Sequence, residues 1–171
     1  EYRFYEINPV VVRLAEGEGN YFTFLSDSAA NVTVVEGDAR ISLENELDSG
    51  NVQPFDVLVL DTFSSDSIPV HLVTKEAFAL YLQRLTPDGV IAAHISNRHL
   101  DLQPVFWQLA QAYGLTMVRI TNEAGAEDEF PSEWLLLTAN QEILNIPQIR
   151  ERALGYEGYS TAIKIWTDDY S

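Results

Sequence analysis

The chain contains no cysteine, which excludes disulfides, thiolate nucleophiles and cysteine-ligated zinc. Positive charge is scarce: Lys and Arg number 10 against 26 Asp and Glu, a formal net charge of -16 at pH 7. Phosphate recognition needs clustered Lys and Arg, so nucleic acid is not an expected partner. The acidic excess suits a cationic ligand, although acidic surfaces also simply keep proteins soluble. The histidines His71, His94 and His99 show no HExxH-type spacing, and no metal is expected. No apolar run reaches about 18 residues, so no membrane contact by this chain itself is expected, and no signal peptide opens it; a cytoplasmic location follows. What is present is a folded composition. With 171 residues, 46% hydrophobic and 11% aromatic, the chain can bury a substantial core as one domain, residues 1–171.

Strand and helix signals alternate along it. Tyr2 to Ile7 reads as a strand, followed by Asn8 as N-cap, Pro9 at the first helical position and a helix to about Glu16. Asn31 to Val35 is the next strand, and Gly37-Asp38 turns into a helix over Ala39 to Leu47. Asp56 to Leu60 is an apolar strand expected to be buried on both faces. A helix over Lys75 to Leu85 follows, closed by Pro87-Asp88-Gly89, then a strand over Val90 to Ile95 and an amphipathic helix over Leu102 to Tyr113. Met117 to Thr121 and Trp134 to Thr138 are separated by too short a gap for a crossover helix, and are expected to form an antiparallel hairpin at a sheet edge. Ile146 to Leu154 reads as a terminal helix. This alternation predicts a doubly wound, Rossmann-like α/β fold, mostly parallel, with an antiparallel edge hairpin.

Carboxylates stand at the ends of successive strands: Glu6 after the first, Asp38 after the second, Asp61 after the third. Ligands of open parallel sheets sit outside the carboxyl ends of the strands. There a carboxylate can accept two neighbouring ribose hydroxyls, which suits Glu6, while Asp38 and the Ala39 N–H could meet a base. Each residue is equally readable as a helix N-terminal or loop cap. The loop after Asp61 carries a second carboxylate, Asp66, in a Ser-rich stretch that marks it as a candidate site. His94 reads as a hydrogen-bonded core histidine rather than a base. Asn97 and Arg98 read as loop caps, Trp107 and Trp134 as core. The tail around Trp166, Asp168, Asp169 and Tyr170 reads as packing against the domain.

The words YEINP (5–9), EGDAR (36–40), FDVLVLDTFSSDSIP (55–69) and IWTDDYS (165–171) occur in an order that resembles the polyamine synthase (spermidine/spermine synthase) branch of the S-adenosylmethionine-dependent methyltransferase superfamily. The resemblance covers nearly the whole chain. It is closest to spermidine-synthase-like domains found alone or fused to membrane transporter-like segments, which implies that a membrane-attached parent protein is one option beside a free-standing one. It implies that Glu6 binds ribose, that Asp38 with Ala39 binds adenine, and that Asp61 and Asp66 are the catalytic, amine-binding carboxylates, with Asp61 also contacting the cosubstrate. It implies aminopropyl transfer from decarboxylated S-adenosylmethionine to a polyamine or diamine such as putrescine, with no metal.

The sequence departs from the family in two ways. Asp61 and Asp66 are more widely spaced than in the compact D-x-x-D-P loop, and no Gly-x-Gly-x-Gly occurs. The family's first strand and its glycine-rich loop are therefore expected to lie before Glu1, leaving a fragment that binds nucleotide weakly and transfers nothing by itself. The omitted strand would sit between the first and third strands seen here. Either those two pair directly, or a second copy fills the gap in a homodimer. The alternatives are an S-adenosylmethionine-dependent small-molecule methyltransferase and a non-catalytic domain of the same fold. Paired carboxylates favour the aminopropyltransferase, and the absent glycine loop favours the non-catalytic domain.

Overall fold

The computed structural model describes residues 1–50, 53–62, 69–97, 100–123, 130–155 and 163–170. Contacts divide the chain into two compact units, Glu1–Val52 and Gln53–Ser171.

In the first unit, β1 (Tyr2–Glu6) and β2 (Val32–Glu36) pair in parallel, in register from Tyr2↔Val32 to Glu6↔Glu36. A parallel pair needs a crossover, and α1 (Pro9–Ala15) lies within it. Asn8 starts α1 by accepting the Val10 N–H, with Pro9 in the first turn where its missing donor costs nothing. The chain leaves α1 through Gly17, whose φ of 105° favours glycine. After β2 comes α2 (Ala39–Asp48). Tyr5 of β1 donates its hydroxyl to Glu46 of α2 at 3.0 Å, and the Arg3 guanidinium bonds the same carboxylate. Burial, reinforced by the hydrogen bond to Glu46, pushes the Tyr5 phenol pKa up.

The second unit is a five-stranded sheet in the order β3-β4-β6-β5-β7. β3 (Phe55–Leu60) and β4 (Leu85–His94) are parallel and are connected through α3 (Lys75–Arg84). α4 (Gln103–Tyr113) leads to β5 (Thr116–Asn122), which forms the expected antiparallel hairpin with β6 (Ser132–Thr138). β6 inserts beside β4, so the hairpin extends the sheet. Ile91, Ala93, Leu135 and Leu137 of the middle strands are fully buried, as are Phe78 and Tyr81 of α3 and Phe106 and Leu109 of α4. The Phe78 ring lies 5.7 Å from Tyr81 and 5.9 Å from Phe106. Gly114, at φ 66°, closes α4 in the left-handed conformation.

Three expectations are corrected. β3 is not buried on both faces: Leu58 and Leu60 are buried, but Val57 and Val59 are each 56% exposed. Successive side chains of a strand point to opposite faces, so Leu58 and Leu60 share the buried face and Val57 and Val59 the exposed one. The Pro87-Asp88-Gly89 break lies inside β4, which begins at Leu85; the register jumps from Phe55↔Leu85 to Val57↔Val90, so the turn residues form an irregular bulge. The terminal helix expected over Ile146 to Leu154 is cut to a single turn, α6 (Pro147–Arg150), preceded by another single turn, α5 (Gln141–Leu144); residues 153–155 instead form a short β7 (Ala153–Gly155) paired with β5. Pro147 starts α6 and holds Ile146 extended before it.

Within the first unit β1 bonds β2, and within the second β3 bonds β4. The tail packs against the start of α3, as expected: the Lys75 N–H donates to the Trp166 carbonyl at 2.8 Å, Thr74 Oγ1 to Asp168 Oδ1 at 2.8 Å and the Asp168 N–H to Glu76 at 3.0 Å. No helix among the described residues is long and apolar enough to cross a membrane.

Two stability predictions follow from this packing. Phe78→Ala leaves a cavity between fully buried rings and should cost about 3–5 kcal/mol. Asp168→Ala removes the tail's acceptor for Thr74 and should cost about 1 kcal/mol. Urea unfolding of the two variants beside the parent chain measures both.

Candidate functional site

The sheet of the second unit places Asp61 and His94 side by side. Leu60 is the register partner of Ala93 in the parallel β3/β4 pair, so the next residue on each strand emerges at the same carboxyl end. There His94 Nδ1 lies 2.8 Å from Asp61 Oδ1, and His94 Nε2 lies 2.7 Å from Ser96 Oγ. Ser96 Oγ accepts the Glu133 N–H at 2.8 Å, and the Glu133 carbonyl accepts the Ile95 N–H at 2.8 Å. Trp134, the register partner of His94 on β6, stacks on the imidazole at 4.8 Å between ring centroids. The His94 side chain is 25% exposed and that of Asp61 58%, so the carboxylate faces outward from a ring held on three sides.

A cleft of about 280 Å³ adjoins this cluster, with Asn97, Asp101, Arg119 and Glu133 among the residues lining it. Arg119 Nη1 binds Glu133 Oε1 at 3.0 Å, tying one wall of the cleft together. Asn97 Oδ1 accepts the Leu100 N–H at 2.9 Å, the loop-capping role expected of it. Arg98, its expected companion, lies outside the described residues, and so does Asp66.

Glu6, Asp38 and Ala39 belong to the first unit, gathered at the carboxyl end of β1 and β2. The Gly37 N–H donates to the Glu6 carbonyl at 2.9 Å, which seats the exit of β2 on the end of β1. Glu6 Oε1 accepts the Asn8 N–H at 2.8 Å, and Asp38 Oδ1 accepts the Ile41 N–H at 3.0 Å as the N-cap of α2, where Ala39 is the first helical residue. Both carboxylates therefore cap backbone. A carboxylate offers about four lone-pair sites, so capping with one oxygen is compatible with accepting ligand hydroxyls or an amino group.

His94 and Ser96 were not expected as site residues. His94 is hydrogen-bonded as foreseen, but it stands at the sheet's end rather than in the core, and Trp134 is its half-buried stacking partner rather than core. The available signal was the spacing His94-x-Ser96 at the end of a strand, which puts both side chains on one face.

No family model matches the chain. In sequence it is similar to a polyamine aminopropyltransferase of Vibrio vulnificus (strain CMCP6), 37% identical over 89 residues, which is 52% of this chain and 27% of that protein. In structure it is similar to a probable spermidine synthase from Corynebacterium glutamicum, with a TM-score of 0.56 at 17% identity over 95% of this chain and 65% of that one. It is also similar to human methyltransferase-like protein 13 in complex with SAH, with a TM-score of 0.58 at 19% identity over 94% of this chain and 74% of that one. The fold is thus the Rossmann-like α/β fold of the S-adenosylmethionine-dependent methyltransferases.

The capping role of Asp38 is separable from any role toward a ligand. Asp38→Ala should destabilise the chain by about 0.5–2 kcal/mol, and Asp38→Ser, which retains a capping oxygen, should recover most of that loss in urea unfolding.

Proposed function

We propose that the chain forms one methyltransferase-fold domain of a polyamine-synthase-like aminopropyltransferase. It would use decarboxylated S-adenosylmethionine and a small diamine of the putrescine type. The observation that carries this reading is Asp61, an outward-facing carboxylate at the carboxyl end of a parallel strand, held in place by His94. Sequence similarity to a polyamine aminopropyltransferase supports the same reaction class.

An ammonium cannot attack carbon, so the acceptor amine must lose a proton while the rest of the substrate stays bound as a cation. A fixed carboxylate serves both needs: it attracts the cation and takes the proton as general base. The donor supplies a propyl carbon activated by its sulfonium sulfur and leaves as methylthioadenosine once the amine nitrogen has bonded that carbon. The N–H bond of the amine breaks as an O–H bond forms on Asp61. Glu6 would accept the ribose hydroxyls, and Asp38 with the Ala39 N–H would meet the adenine. These residues fit the nucleoside end of the donor, because each offers acceptors or an N–H at the end of a parallel strand. The sequence carries no Gly-x-Gly-x-Gly for the methionine-derived end. Asp66 would be the second amine-contacting carboxylate.

Calorimetric titration with methylthioadenosine and with S-adenosylhomocysteine tests the nucleoside half, and mass-spectrometric detection of the aminopropylated amine tests the reaction. Methylthioadenosine should bind, and Asp38→Ala should abolish the binding. Asp61→Asn should lower transfer by about 10²–10⁴-fold, the range of general base catalysis. If neither nucleoside binds, the proposed site is wrong and the non-catalytic alternative takes its place.

A further inference from the structure

We infer that His94 is a positioning residue for Asp61: the acceptor-only carboxylate fixes the tautomer of the ring, and Ser96 and Trp134 hold the ring in place. This rests on the reading of Asp61 as the base, and it adds a residue that no sequence motif singled out.

The hydrogen-bond chain fixes where the imidazole proton sits. An ionised carboxylate only accepts, so the 2.8 Å contact between Asp61 Oδ1 and His94 Nδ1 requires the ring proton on Nδ1. In the neutral ring Nε2 is then an acceptor, and it takes the one hydrogen of the Ser96 hydroxyl, 2.7 Å away. The Ser96 oxygen itself accepts the Glu133 N–H at 2.8 Å, which leaves its hydrogen for Nε2. One carboxylate oxygen is thereby committed to His94, which turns the other toward the amine. When the amine's N–H bond breaks, the new O–H forms on that second oxygen, and His94 keeps its own proton throughout.

The arrangement parallels the way a buried carboxylate orients a catalytic imidazole, with the roles exchanged: here the imidazole is the support and the more exposed carboxylate is the reacting group. Three constraints from separate segments hold the ring: Asp61 follows β3, Ser96 follows β4 and Trp134 stacks on it from β6. The hydroxyl of Ser96 is itself held by the backbone of β6, so the support does not depend on a freely rotating group. The nearest carboxylate on that strand, Glu133, is bound to Arg119, which leaves the imidazole to Asp61.

Nitrogen-15 spectroscopy of the ring reads the tautomer without any substrate. The neutral ring of the parent chain should be protonated on Nδ1, and Asp61→Ala, which removes the acceptor, should convert it to a mixture of tautomers. A ring protonated on Nε2, or a spectrum unchanged by Asp61→Ala, would overturn the inference even where no transfer is detected. The kinetic arm uses geometry that mere structural filling would not reproduce. An Asn amide nitrogen overlays Nδ1 of a histidine, whereas that of Gln overlays Nε2. With methylthioadenosine affinity unchanged in all three variants, His94→Ala and His94→Gln should lower kcat by about 10²-fold, the cost of misplacing a catalytic group by about 1 Å. His94→Asn should restore most of it. If the parent chain transfers and all three variants keep its kcat, His94 does not position the base, while the aminopropyltransferase reading survives. If the parent chain transfers nothing, as expected of a chain with no Gly-x-Gly-x-Gly, methylthioadenosine binding tests that reading and the tautomer alone decides the inference.

Discussion

The candidate site depends on the parallel pairing of β3 with β4. Parallel hydrogen bonding brings the same end of two strands together, and the register Leu60↔Ala93 makes Asp61 and His94 the next pair out. No local sequence feature could do this, because the two side chains are 33 residues apart. The antiparallel addition of β6 then completes the group, since its register with β4 sets Trp134 opposite His94 and brings the Glu133 N–H to Ser96. A one-residue slip in either pairing would send these side chains to the other face of the sheet. The site is therefore as well defined as the sheet, and the fully buried Ile91, Ala93, Leu135 and Leu137 that fix the register lie directly behind it.

The first unit uses carboxylates differently. Glu6 and Asp38 each satisfy a backbone N–H at the start of a helical turn. Helix N-termini leave donors without intrahelical partners, and acidic residues are favoured there whatever else they do. Functional and capping readings of such a residue therefore predict the same sequence. What distinguishes Glu6 and Asp38 is that both lie at the carboxyl end of the same parallel pair, where the Gly37 N–H joins the exit of β2 to the end of β1.

Much of the fold was legible because its signals are local. Asn8-Pro9, Gly37-Asp38 and Thr74 mark helix starts, and each cap side chain does accept an N–H of its own first turn. The apolar positions of α4 recur at helical spacing and are buried. The failures share a cause, which is tertiary context. The run Val57 to Leu60 looks buried on both faces, but the face of β3 that carries Val57 and Val59 is exposed. Pro87 to Gly89 looks like a turn between elements, yet Leu85 already pairs with Phe55 and the turn becomes a bulge. Residues 153–155 become a strand because β5 offers them an edge. At the site, the carboxylates could be proposed from strand ends alone, whereas the role of His94 follows from a neighbour strand whose register no sequence pattern states.

The charge pattern gives the Asp61 pairing its functional interest. Glu18, Glu44, Glu46 and Glu133 each face a guanidinium, from Arg13, Arg40, Arg3 and Arg119. Such pairs cancel a carboxylate's field locally, because the arginine carries its charge at any ordinary pH. Asp61 instead faces an imidazole, which can donate the same directed hydrogen bond from a neutral ring. Donated from a neutral ring, the bond orients the carboxylate without neutralising it and leaves the negative charge to a cation approaching its exposed side. A guanidinium in the place of His94 would hold Asp61 as firmly and would also repel a polyamine.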